Sequence, residues 1–160
     1  MDFKGVKEKT IVLVKPDAIQ RGLVGQITAR FETKGLKLVG MKMISLDEAV
    51  LREHYVHLVD KPFFASLAKF MQSTPVIAMC WEGLEVVDSV RRITGITKAR
   101  QAEAGSIRGD FAMSVSCNII HASDSVDNAM LEVKRFFKDD EIHSYDKSEY
   151  IHVYAEDELE

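Results

Sequence analysis

One histidine stands where a predicted strand meets the start of a predicted helix. A short apolar stretch, residues 117–121, ends at His121, and Ser123, Asp124 and Ser125 follow as residues that commonly cap a helix N-terminus. The positive end of the helix dipole favours the uncharged imidazole and attracts anions such as phosphate. An unprotonated histidine can act as a nucleophile. His121 is therefore a candidate nucleophile, and the alternative is a structural histidine that satisfies a core carbonyl.

A carboxylate on the following helix favours the catalytic interpretation of His121. Apolar residues recur from Val126 at i, i+3, i+4, i+7 and i+11, which predicts an amphipathic helix over residues 126–137. Glu132 lies on this helix. If it faces back towards the strand, its carboxylate holds one ring nitrogen of His121 and leaves the other free.

Basic residues supply the positive charge that a phosphate site requires. Residues 91–108 contain five lysines or arginines against one acidic residue, in a chain whose net charge is −4. Arginine binds phosphate through paired hydrogen bonds, and lysine acts as a point charge. Arg91, Arg108 and Lys15, which ends the first predicted strand, are candidate phosphate-binding residues. The alternative for each of them is ordinary surface charge.

Four further positions could contribute to a small-molecule site. Tyr55 and Phe63 could form an apolar slot for a base, although their spacing also suits core packing. Asn118 could donate a hydrogen bond to a sugar hydroxyl, or simply satisfy the backbone. His54 and His57 are spaced as metal ligands on one helix, but no carboxylate pattern accompanies them, so we expect both to be exposed.

Composition restricts the class of protein. The 160 residues are 46% hydrophobic and 29% charged, which is typical of a single globular domain. Cys80 and Cys117 have no CxxC spacing, the N-terminus is too polar for a signal peptide, and the apolar run 76–81 is far shorter than the ~20 residues of a membrane span. We therefore expect a cytoplasmic protein with no membrane partner. Nine acidic residues against one lysine in residues 139–160 also argue against nucleic-acid binding.

The pattern of elements predicts an α+β fold. Four short strands alternate with helices, which favours a ferredoxin-like four-stranded antiparallel sheet covered by helices, in a single domain over residues 1–160. Ser45 to Glu48 are typical of a capping box that opens a helix reaching about His57. The predicted strands are 9–15, 36–44, 76–81 and 117–121, and further helices are predicted at 63–71 and 84–94. A long active-site loop is predicted over residues 95–115, and an acidic C-terminal tail over 139–160.

Short motifs along nearly the whole chain resemble those of nucleoside diphosphate kinases. The most specific is the segment from Asn118 to Ser125, which is similar to the family's active-site pattern Asn-x-x-His-Gly-Ser-Asp. No insertion or deletion separates it from the other matching blocks. Those blocks are Lys15-Pro16-Asp17 and the segments 20–25, 31–35, 54–55, 61–64, 81–83 and 105–111.

The resemblance implies an enzyme that moves the γ-phosphoryl group of a nucleoside triphosphate to a nucleoside diphosphate by a ping-pong mechanism, through a phosphohistidine at His121. Stacking of the base on an aromatic ring implies broad base specificity. Mg²⁺ is implied to enter with the nucleotide phosphates, and we expect no metal site made of protein ligands. The implied catalytic residues are His121, Glu132, Lys15 and Ser123, and the implied nucleotide-binding residues are Lys15, Tyr55, Phe63, Arg91, Thr97, Arg108 and Asn118.

One departure from the family pattern keeps a second function open. Ala122 stands where the family usually has glycine, and its methyl group would crowd His121 if that position required a positive φ. The alternative is therefore a non-catalytic nucleotide-binding regulatory module of the same fold. The resemblance also implies self-association, and we expect a homohexamer, with a tetramer as the alternative.

Overall fold

Four strands form one sheet in the computed structural model, which describes residues 7–159. They are β1 (Lys7–Val14), β2 (Lys37–Ile44), β3 (Val76–Leu84) and β4 (Ile120–Ala122). Their order is β2-β3-β1-β4, and every pairing is antiparallel. The predicted ferredoxin-like sheet is confirmed.

Helices cover both faces of this sheet. Val12 and Val14 of β1 pack into one buried cluster, and the alternating Ile11 and Leu13 pack into the other, because successive side chains of a strand point to opposite faces. Residues 11–14 of β1 and 76–81 of β3 are therefore continuously apolar, as central strands with two covered faces must be. The helices are α1 (Pro16–Gln20), α2 (Val24–Thr33), α3 (Glu48–His54), α4 (Phe64–Met71), α5 (Val86–Thr94), α6 (Ile107–Phe111) and α7 (Val126–Phe136).

Several boundaries differ from the predicted ones. α1 follows β1 at once, with Pro16 in the first turn where its missing N–H costs nothing, and no periodicity indicated it. The predicted loop 95–115 contains α6, and β4 begins three residues later than the strand predicted for 117–121. None of the helices in the described part of the chain is long and apolar enough to cross a membrane.

The capping box predicted at Ser45 and Glu48 is wrong. Asp47 is the N-cap of α3, and its side chain accepts a hydrogen bond from the N–H of Val50 at 2.8 Å. The helix ends at His54 rather than near residue 57, and a separate 3₁₀ turn, Val56–Leu58, follows it. This earlier end determines where the last residue of α3 points.

The acidic tail packs back onto the domain. The N–H of His143 donates to the carbonyl of Val39 on β2 at 2.8 Å, and Tyr150 and Leu159 are buried beside Leu84 at the end of β3. Leu159, near the end of this acidic tail, is only 9% exposed. The tail therefore adds a small apolar cluster to the domain.

Replacing Asp47 with alanine should lower the free energy of unfolding by about 1 kcal/mol, because an N–H at the start of α3 loses its acceptor. Urea denaturation measures the change. Ser45→Ala is the matched control, since Ser45 is exposed and is not the cap. A loss as large for Ser45→Ala as for Asp47→Ala would contradict the assignment of the cap.

Candidate active site

A cavity of about 1050 Å³ opens where β1 ends and β4 begins. Its walls come from the end of β1, the turn after α3, the start of α4, the end of α5 and the segments on either side of α6. The structure brings almost every candidate residue to this one cavity. Lys15, Tyr55, Phe63, Arg91, Thr97, Arg108, Asn118, His121 and Glu132 line it, and Ser123 reaches it through Glu132.

The pairing of His121 with Glu132 defines the floor of the cavity. Nε2 of His121 lies 3.0 Å from Oε2 of Glu132, and the hydroxyl of Ser123 donates to the same oxygen at 2.5 Å. Burial alone would raise the pKa of Glu132, but the hydrogen bonds from His121 and Ser123 outweigh it and hold the pKa below its usual range. Glu132 is therefore an ionised acceptor at neutral pH.

An ionised carboxylate fixes the tautomer of the His121 ring. Because Glu132 can only accept, the neutral imidazole must carry its proton on Nε2 and keep a lone pair on Nδ1. No hydrogen bond reaches Nδ1 from residues 7–159, and the side chain is 20% exposed at the cavity. Nδ1 is thus the ring atom available for reaction.

β4 and α7 place the two partners. His121 pairs with Leu13 of β1, so the short strand is anchored to the centre of the sheet. Ser125, one of the predicted caps, accepts from the N–H of Asn128 and starts α7 directly afterwards. This strand-to-helix turn brings Glu132 back beneath the ring, as the sequence predicts.

Lys15 and Asn118 form one wall. The Lys15 ammonium donates to Oδ1 of Asn118 at 2.7 Å, and the Asn118 amide donates to the carbonyl of Val115 at 2.9 Å. Burial and the nearby Arg108 together lower the pKa of Lys15 to about 8. The ammonium is still mostly protonated at neutral pH, and an anion in the cavity would stabilise that charge.

Arg108 is held mainly by the backbone. It is 8% exposed, and its guanidinium donates to the carbonyls of Gly95 and Ile120 at 2.9 and 2.6 Å, with a longer contact to that of Asn118. Each terminal nitrogen keeps one N–H for another acceptor. Burial lowers the pKa of Arg108 to about 10, with a further contribution from Arg91, so the group stays charged at neutral pH.

The mouth of the cavity is partly apolar. Phe63 is 52% exposed there, while Tyr55 is buried and its hydroxyl has no hydrogen-bond partner among residues 7–159. Burial raises the pKa of Tyr55, so the phenol is neutral. Thr97 and Arg91 are exposed at the opposite side. Ala122 lies within β4 and is not among the residues with a positive φ, so its methyl group causes no backbone strain.

His54 is a site residue that the sequence interpretation missed. It was expected to be exposed, yet it is 6% exposed and packs edge-on against the His121 ring at 4.4 Å, whereas His57 is exposed as expected. Its Nδ1 lies 3.2 Å from Nη1 of Arg135, a group that can only donate. The available signal was helical spacing, because His54 lies three residues after the fully buried Leu51.

His54 is held neutral by this packing. Burial and the neighbouring His121 together lower its pKa to about 3. His54, His121 and Glu132 offer ligand atoms within 4.8 Å of one another. However, Arg135 already occupies Nδ1 of His54 and adds a positive charge there, which disfavours a resident metal ion at this position.

Known proteins resemble this chain over nearly its full length. The family model described as nucleoside diphosphate kinase matches residues 8–142. A nucleoside diphosphate kinase of Parabacteroides distasonis is 52% identical over 152 residues, which are 95% of this chain and 99% of the relative. One from Pyrococcus abyssi is 49% identical over 146 residues, 89% of this chain and 92% of the relative.

Solved structures of nucleoside diphosphate kinases also resemble this chain in fold. The structure of a halophilic nucleoside diphosphate kinase from Halobacterium salinarum in complex with CDP superimposes with a TM-score of 0.90. The two chains are 45% identical, and the match covers 94% of this chain and 100% of the other.

Acid should expose the cost of keeping His54 neutral. Its folded pKa is about 3, against 6.5 for a free imidazole, so the unfolded chain binds more protons and stability falls as pH drops below about 6.5. Between pH 7 and pH 5 this one group should cost about 2 kcal/mol. In His54→Gln, which does not titrate, the free energy of unfolding should decline correspondingly less over that interval.

Chemical denaturation at pH 7, 6 and 5 measures the slope. His57→Gln is the control, because His57 is exposed and should leave the slope unchanged. An unchanged slope in His54→Gln would show that the buried ring does not resist protonation.

Proposed function

This chain belongs to the nucleoside diphosphate kinase family, and we propose that its phosphoryl transfer passes through His121. The enzyme transfers the γ-phosphoryl group of a nucleoside triphosphate to a nucleoside diphosphate. One observation carries the proposal. Glu132 binds Nε2 of His121 and leaves Nδ1 unbonded, and the His121 side chain lines the same cavity as Lys15, Arg91 and Arg108.

In the first half-reaction, the lone pair of Nδ1 attacks the γ-phosphorus. The bond from that phosphorus to the bridging oxygen breaks, and its electrons leave with the nucleoside diphosphate. In the second half-reaction, a terminal oxygen of another diphosphate attacks the phosphorus, and the N–P bond returns its electrons to Nδ1. The proton on Nε2 stays with Glu132 throughout, so neither half-reaction needs an external acid or base.

The cations stabilise the charge that spreads over the transferring oxygens. Lys15 and Arg108 are buried and already oriented, so reorienting them costs little free energy when the transition state forms. We assign Arg91 and Thr97 to the phosphates as well, because both line the cavity at its rim. Ser123 acts through Glu132, whose oxygen it shares with His121.

Other residues of the same cavity suit the ribose and the base of the nucleotide. We assign Asn118, with Lys15, to the ribose, and Phe63 to stacking on the base, with Tyr55 supporting the wall beside Lys15. Every base offers a π-face, so stacking on an exposed ring suits broad base specificity.

The residues of this site fit a Mg²⁺ ion that binds together with the nucleotide. The buried charges Lys15 and Arg108 are cationic, and the buried carboxylate Glu132 is occupied by His121 and Ser123. Oxygen ligands for Mg²⁺ would therefore come from the phosphates and water. When bound, the ion neutralises part of the phosphate charge.

The assembly and location are proposals of the same kind. A homohexamer is our first expectation and a tetramer the alternative, and the sheet offers a surface for self-association: Met41 and Met43 on the edge strand β2 are 47% and 60% exposed. Two free cysteines are compatible with a cytoplasmic location. We treat residues 1–160 as one domain whose acidic tail spans 139–160.

Incubation with γ-labelled ATP and no acceptor should leave acid-labile, alkali-stable phosphate on the protein, and His121→Ala should remain unlabelled. His57→Ala is the control, because that histidine also lines the cavity but is exposed. It should be labelled like the unaltered enzyme. Label on His121→Ala, or none on the unaltered enzyme, would refute the proposal.

Chasing the labelled protein with each of four diphosphates, ADP, GDP, CDP and UDP, should release the label as the matching triphosphate. Bound nucleotide without any phosphoenzyme or exchange would instead select the non-catalytic alternative. The relaxed backbone at Ala122 removes the local observation that favoured that alternative.

A further inference from the structure

The backbone two residues before the nucleophile is strained. Ile119 has φ +76°, a left-handed conformation that a β-branched side chain rarely adopts. Glu85 is the one other non-glycine residue with a positive φ in the described chain. Ile119 is fully buried, so the strain is maintained inside the domain by its neighbours.

This residue forms the centre of a tight turn between two site residues. The N–H of Ile120 donates to the carbonyl of Asn118 at 2.8 Å, which closes a three-residue turn around Ile119. Asn118 precedes the turn and His121 follows it. The conformation at Ile119 therefore determines how the Asn118 amide and the His121 ring are placed relative to each other.

Asp17 is the side chain that holds the centre of this turn. Its Oδ2 accepts a hydrogen bond from the N–H of Ile119 at 3.0 Å, while the carbonyl of Ile119 accepts from the backbone N–H of Lys15 at 2.9 Å. Arg108 ties down the carbonyl of Ile120 beyond the turn. Asp17 belongs to the Lys15-Pro16-Asp17 motif, in which the sequence interpretation assigned a role to Lys15 but none to Asp17.

We propose that Asp17 is a positioning residue for phosphoryl transfer, whose carboxylate holds the turn at Ile119 and so sets Asn118 against His121. The inference rests on the proposed function, and it adds a residue that acts only through others. Asp17 lies on α1, directly after the end of β1. Its other oxygen, Oδ1, is buried and has no hydrogen-bond partner within the described residues, and the carboxylate places a negative charge near Lys15.

That charge gives Asp17 a second, measurable effect. Burial and Arg108 lower the pKa of Lys15, and the negative charge of Asp17 raises it, as does the Cys117 thiol. His54 also lies within electrostatic range of Lys15 but is held neutral. Removing the charge of Asp17 lowers the pKa of Lys15 below about 8, so Lys15 loses its proton at a lower pH.

Two substitutions separate the hydrogen bond from the charge. Asp17→Asn keeps a carbonyl oxygen that can accept from Ile119 but loses the charge, and Asp17→Ala loses both. Asp88→Asn is the matched control, because Asp88 also lies in the first turn of a helix but is exposed and outside the cavity. Thermal melting of each variant identifies any that fails to fold.

Two readouts are followed from pH 6 to 9: the single-turnover rate of protein phosphorylation by ATP, and the affinity for ADP by calorimetry. At pH 7, the rate of phosphorylation of Asp17→Ala should be lower by a factor of about ten or more. This is the factor expected for losing a hydrogen bond to a charged group. Asp17→Asn should stay within about threefold of the unaltered enzyme, since it retains the acceptor. In both variants the alkaline loss of ADP affinity should begin at lower pH, and Asp88→Asn should change neither readout.

Equal phosphorylation rates and an unmoved alkaline limit in both folded Asp17 variants would overturn the inference. A general structural role would lower the melting temperature without moving the alkaline limit, and this result too would contradict it. ADP affinity does not require His121 to react. A shifted limit in a protein that forms no phosphoenzyme would therefore reject the proposed function while leaving the effect of Asp17 on Lys15 in place.

Discussion

Glu132 accepts a hydrogen bond from Nε2 of His121, and the chemistry of the cavity depends on that bond. A free imidazole interconverts between two tautomers and can react through either nitrogen. Here a buried, ionised acceptor places the proton on Nε2, fixes the ring and leaves the lone pair of Nδ1 free on a side chain that lines the cavity. Ser123 secures the acceptor, and His54 supports the other side of the ring without adding a charge that would compete for Glu132.

The buried cations Lys15 and Arg108 are also fixed in place before substrate binds. Burial lowers the pKa of both Lys15 and Arg108, and a neighbouring cation lowers each further: Arg108 acts on Lys15, and Arg91 acts on Arg108. An incoming polyphosphate offsets this cost. Both are fixed before substrate arrives, Lys15 by the Asn118 side chain and Arg108 by backbone carbonyls. Catalysis then requires only small movements of protein charge. A preorganised site gains most of its rate advantage over water in this way, because water dipoles must reorient around the transition state.

The sequence predicted the parts of this site that depend on local rules. The amphipathic pattern after Ser125 and its capping side chain predicted α7, and with it the return of Glu132 to His121. The motif resemblance supplied the set of residues that meets at one cavity. What local rules could not supply depends on tertiary context. Ile favours strands, so nothing in the sequence indicates that Ile119 breaks the strand predicted for 117–121 with a left-handed turn. The prediction that His54 is exposed was wrong because its burial depends on where α3 ends.

The central claim concerns one atom, and nuclear magnetic resonance can observe it directly. In the ¹⁵N-labelled enzyme phosphorylated by ATP, the ³¹P nucleus should couple to Nδ1 of His121, while Nε2 keeps its proton and its hydrogen bond to Glu132. Phosphorus bonded to Nε2 instead would mean that Glu132 releases the ring before it reacts. That result would contradict the account of how this site selects its nucleophile.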